Sequence, residues 1–184
     1  MAWMSTVVAP RMRLFAVVLW VVAIALVPLA LLTGGNPWLV PVPSIFTAFL
    51  AWAVLWRPRF ELTDDSLTIV DVRRTSTYPW RRVQEIRTKY GIEVVTTEGV
   101  RRTWLATRPT AALGLRRPGD GTTTAADVPE VADVLRAHVP APVVHDGPPP
   151  ATVEAATISH RVHGWSVTAM IVLGVAASMA AAQR

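Results

Sequence analysis

A chain of 184 residues, 52% apolar and only 17% charged, has room for one ordinary domain beside its apolar runs, which excludes a two-domain soluble enzyme. The absence of cysteine excludes disulfide frameworks, thiolate metal sites and cysteine nucleophiles. The net charge of +5 is almost all arginine, Lys89 being the single lysine, and all thirteen carboxylates lie between Glu61 and Glu154, so both ends of the chain are acid-free.

In chain order, residues 1–13 read as a short cytoplasmic segment carrying Arg11 and Arg13. Residues 14–32 are nineteen uncharged residues rich in Val, Leu, Ala and Ile. At about 1.5 Å per residue they match the roughly 30 Å hydrocarbon core of a bilayer, with Pro28 as a tolerable kink. A signal peptide would have a shorter core and a small-residue cleavage site at its end, whereas Ala23-Ile24-Ala25 sits in mid-run. Breakers at 33–37 then turn the chain into a second uncharged run, 38–56, bounded by Trp38 and Trp56, with Pro41 and Pro43 expected to make its first turn irregular.

Between residues 57 and 140 the texture changes to short alternating segments. Residues 60–63 and 67–72 form a hairpin around Asp64-Asp65-Ser66, followed by strands over 75–80, 83–90, 92–97 and 100–105. Residues 109–124, with five Gly or Pro among small polar residues, read as loop. Asp127 and Glu130 have the spacing of a capping box, opening a helix with an apolar stripe at Val131, Val134, Leu135 and His138. Residues 141–164 read as a Pro-rich linker whose second half, 151–163, forms a juxtamembrane helix. A third uncharged run, 165–182, places Gly174, Ser178 and Ala182 on one face, a small-residue face suited to close helix packing. Arg11, Arg13, Arg57, Arg59 and Arg161 flank one side of these runs and only Arg184 the other, which puts the middle domain in the cytoplasm. The expected protein is thus a mixed membrane protein with three transmembrane helices and a small antiparallel β domain closed by a C-terminal α-helix.

The phrases FELTDDSLTIVDVRRTSTYPWRRVQEIR, GIEVVTTEGVRRTWLA and AADVPEVADVLRAHV, set between these runs, resemble the bacterial pleckstrin-homology-like (PH-like) domains of actinobacterial membrane proteins, of the low-molecular-weight antigen 6 type. The most telling piece is Tyr78-Pro79-Trp80-Arg81-Arg82-Val83, a strand leading to Pro-Trp with an apolar residue three positions later. The resemblance spans about eighty residues and implies a strongly bent sheet of about seven strands closed by a helix. It brings no catalytic residues with it.

The candidate chemistry is sparse. His160 and His163 stand three apart but lack further ligands at helical spacing, so no metal site is expected, and Asp64-Asp65 fits a turn better than an acid–base pair. No phosphate loop, nucleophile elbow or zinc-protease motif occurs, so neither catalysis nor a cofactor is expected. Trp80 and Trp104 are expected in the core. The arginines are paired: Arg73-Arg74, Arg81-Arg82, Arg101-Arg102 and Arg116-Arg117. Over residues 57–117 thirteen basic residues face seven acids, a surplus of six. The first three pairs are the candidate contacts, expected to converge at one sheet edge and meet anionic lipid headgroups or a membrane protein partner. Nucleic acid is not expected as a partner. The chain therefore reads as a membrane-anchored binding or scaffold module, or alternatively as an accessory subunit of a membrane complex held through its helices.

Overall fold

The computed structural model describes residues 5–32, 34, 40–103, 111–116, 122–140 and 157–182. The chain divides into a sheet unit, built from Met1–Pro10 and Pro58–Arg161, and a helical unit, built from Arg11–Arg57 and Val162–Arg184.

The sheet unit contains β1 (Ser5–Val8), β2 (Arg59–Leu62), β3 (Ser66–Val70), β4 (Arg74–Pro79), a 3-10 turn at Trp80–Arg82, β5 (Val83–Arg87), β6 (Glu93–Thr96), β7 (Gly99–Arg102), β8 (Ala112–Arg116), β9 (Thr123–Asp127), the helix Val128–His138 and β10 (Ser159–Val162). Seven strands form one sheet in the order β10-β4-β3-β2-β1-β8-β9, and β5-β6-β7 form a second. Alternation explains the burial: Phe60 and Leu62 on β2, Leu67 and Ile69 on β3, and Leu113 and Leu115 on β8 all point inward. The helix Val128–His138 packs on β5, β8 and β9 through Val128, Val131, Ala132 and Leu135. His138, the fourth member of the expected stripe, is exposed and its ring stacks on Trp80.

Several expectations need correction. The reading of 109–124 as loop misses β8 and the start of β9, which pair from Ala112 opposite Asp127 to Arg116 opposite Thr123. Gly114 and the small residues of β9 gave no alternation signal. Yet Gly114 is what lets the strands close, since a Cβ there would stand 2.5 Å from Thr123 Cγ2. The N-terminal segment is also part of the domain: β1 lies between β2 and β8, with Val7 opposite both Phe60 and Leu115. Nor do residues 159–162 belong to a juxtamembrane helix, because they form β10 at the edge beside β4. Asp127 does occupy the N-cap, but its side chain makes no capping bond. Pro129 has no amide to offer and Asp127 is already the last paired residue of β9. The remaining strands agree with expectation to within a few residues, and Trp104 and Arg117 lie outside the described residues.

In the helical unit, α1 (Pro10–Leu32) contains Pro28, and α2 (Pro41–Ala51) runs into a π-helical turn at Trp52–Trp56. The last helix of the chain is Gly164–Ala182. With the helix of the sheet unit taken as α3 (Val128–His138), it is α4. The first and last of these helices are long and apolar enough to cross a membrane by length and composition, whereas Pro41–Trp56 is shorter. The first turn of α2 is regular rather than broken, since a proline at the start of a helix removes only an amide that has no partner there. Trp38 lies outside the described residues. α2 packs on α4, where Phe46 stands 3.5 Å from the position of a Cβ at Gly174. Trp20 Nε1 donates to the Ala48 carbonyl at 2.9 Å, tying α1 to α2. Arg57 donates to the buried Ser166 hydroxyl at 3.0 Å, tying the end of the π turn to α4.

Candidate functional site

Strand register decides which arginines meet. Arg59 faces Val70 and Val70 faces Thr75, so the β3–β4 turn with Arg73 lies at the sheet end where β1 exits and β2 enters. Ser66 faces Pro79, so Arg81 and Arg82 follow β4 at its other end. At about 3.3 Å per residue the two pairs stand roughly 20 Å apart. Arg101 and Arg102, as neighbours on β7, point to opposite faces: Arg101 lies 3.6 Å from Glu98, and Arg102 pairs with Glu93 at 2.7 Å. The expected convergence of three pairs at one edge is therefore not what the register builds. Arg82 and Arg101 do approach a common feature, the β6–β7 turn, where Arg82 reaches Thr97 at 3.4 Å.

That turn also takes part in a polar chain joining the two sheets. His160 on β10 shares a hydrogen bond with Ser76 Oγ through Nδ1, at 3.0 Å, and donates through Nε2 to Glu98 Oε2, at 2.9 Å. Tyr78 meets the same imidazole edge-on. The His160 hydrogen bond holds the Glu98 carboxyl below its ordinary value, and the charges of His160 and Arg101 act in the same direction. The order Ser–His–Glu suggests a nucleophilic triad, but Ser76 is 4% exposed and sits within a strand flanked on both sides by β3 and β10. A hydroxyl so enclosed has no line of attack on a substrate carbonyl, and the chain acts as a clasp holding an edge strand.

A second cluster stands at the β5–β6 connection. Gly91 adopts φ +93° and the buried Ile92 anchors the return of the chain, leaving Tyr90 56% exposed. Lys89 Nζ lies 5.2 Å and Arg102 Cζ 5.7 Å from its ring centroid. Lys89 and Tyr90 fall in the tail of the expected strand 83–90, but β5 ends at Arg87, and the residue type at Gly91 is the sequence signal for the turn that exposes Tyr90.

The other candidates have structural explanations. Asp64 and Asp65 are exposed in the β2–β3 turn, which Thr63 and Ser66 close, and the Asp65 carbonyl accepts from the Trp80 amide. His160 and His163 do not share a helix face, since His160 is in β10. Among the described residues no three His, Cys, Asp or Glu side chains group as a metal site, and His145 lies outside them. Comparison with protein-family models, curated proteins and solved structures finds no match for this chain.

Proposed function

We propose that this protein is a membrane-anchored, PH-like binding module that holds its partner at the cytoplasmic face of the membrane. The observation that carries this reading is the direct pairing of β1 with β2, Val7 opposite Phe60, across an intervening segment of apolar helices. Strands of one sheet occupy one compartment, so a segment that leaves β1 and returns to β2 crosses a bilayer an even number of times. If α1 crosses, Pro41–Trp56 is the return. Its eleven α-helical and five π-helical residues extend about 24 Å, short of the roughly 30 Å core but within what local thinning accommodates. α4 starts next to β10 and makes a third crossing. The excess of arginine on one side of the apolar runs, Arg11, Arg13, Arg57, Arg59 and Arg161 against Arg184, supports a cytoplasmic sheet unit. We assign the module no catalytic step.

Because the chain has no cysteine, single cysteines test this topology directly. In intact cells, Asn36→Cys and a cysteine appended after Arg184 should react with an impermeant maleimide. Asp64→Cys should react only after the membrane is opened. Labelling of Asn36→Cys and Asp64→Cys from the same side would exclude the proposed crossing.

A further inference from the structure

Among the described residues, two large apolar side chains are exposed at the three-stranded sheet, Tyr90 in the β5–β6 connection, 56% exposed, and Val100 on β7, 49% exposed; on the other sheet Val162 of the edge strand β10 is exposed as well. The register places Val100 and Arg102 on one face, opposite Val95 and Glu93, while Ile86, Val94 and Arg101 lie toward the other. Tyr90 joins the first face through Arg102, whose guanidinium lies over its ring, and Lys89 completes the group.

We propose that this face, through Lys89, Tyr90, Val100 and Arg102, docks on the anionic phospholipid headgroups of the bilayer. The inference rests on the membrane-anchored reading above. Each side chain has the chemistry for that layer. A tyrosine ring is at home between acyl chain and water. Lys and Arg bury their aliphatic stems while their cationic ends remain at phosphate depth. The buried Glu93 carboxylate fixes Arg102 through Nε, which leaves its side chain 72% exposed. The net charge here is small, since Arg87, Lys89 and Arg102 are offset by Glu85 and Glu93, a surplus of one. Such a face binds weakly when free, and a tether supplies the effective concentration that makes weak docking sufficient.

The test uses the full chain carrying Val100→Cys, labelled with a polarity-sensitive fluorophore and reconstituted in nanodiscs. With phosphatidylglycerol at about a third of the lipid, the label should shift toward its apolar emission. The shift should disappear in pure phosphatidylcholine and in 1 M salt, where screening falls to about 3 Å. Adding Lys89→Ser and Tyr90→Ser, which leave the Arg102–Glu93 pair intact, should remove at least half of it. Emission that stays aqueous in anionic discs, or an equal shift in neutral discs, would overturn the proposal. Carbonate-resistant flotation of the chain is scored separately: a chain that floats with an unresponsive label refutes the docking face alone, and one that fails to float refutes the anchoring itself.

Discussion

Trp80 secures the corner between the two sheets. Its ring is buried and stacked on His138, its indole N–H donates to the Thr63 carbonyl at 2.8 Å, and its amide donates to Asp65. Trp80→Phe keeps most of the volume and loses the indole bond, which should cost about 1–2 kcal/mol. Trp80→Ala adds a cavity and should cost about 3–5 kcal/mol, read by denaturant unfolding in mild detergent. Glu98 makes a prediction about pH. Its folded-state carboxyl lies below its ordinary value of 4.5, so its contribution is present above that pH and is lost as pH falls through the folded value. Melting temperatures of the native chain and of Glu98→Gln should therefore differ at pH 6 and converge in strong acid. A difference that persists there would mean that Glu98 acts through shape rather than charge.

At the scale of elements, the contact of α2 with α4 depends on what stands at position 174. A methyl at Gly174 would sit at ordinary contact distance from Phe46, whereas a larger side chain would have to displace the ring. Gly174→Ala should be nearly neutral and Gly174→Leu should cost roughly 1–3 kcal/mol, measured by thermal unfolding in detergent. The expected small-residue face is only partly used in this way, because Ser178 is exposed and bonds back to the Gly174 carbonyl. In the sheet unit β1 is short but paired on both sides. Four residues bridge β2 and β8, so their removal strips both neighbours of their ladder bonds. A chain beginning at residue 10 should lose protease resistance in the sheet unit while α4 remains helical.

At the scale of the molecule, the helical segment occupies the place of a hairpin loop between β1 and β2. Val7 faces Phe60, so Val8 and Arg59 stand where a two-residue turn would join them. Replacing residues 9–58 by Asn-Gly and ending the chain at residue 163 should yield a water-soluble sheet unit with native-like β circular dichroism. The fragment 57–140, which lacks both β1 and β10, should stay unfolded under the same conditions.

Apolar length, charge placement and alternation are local properties, and from them the apolar runs, strands β2 to β7 within a few residues, the Tyr78-Pro79-Trp80 corner and the helix at Val128–His138 were all legible in the amino-acid order. β1 and β10 were not. Each has four residues, β10 is exposed throughout, and both become strands only through partners far along the chain: Val7 pairs with Phe60 and Leu115, and β10 lies against β4. The same limit applied to the arginines. Residue order shows that Arg73-Arg74 and Arg81-Arg82 are close in sequence, but only the pairing of β3 with β4 separates them to opposite ends of a strand. Likewise, alternation parts Arg101 from Arg102, and tertiary packing brings Arg102 to Tyr90 and His160 to Glu98. Pairing and packing act between residues distant in sequence, so the grouping of side chains into sites was settled only by the tertiary structure.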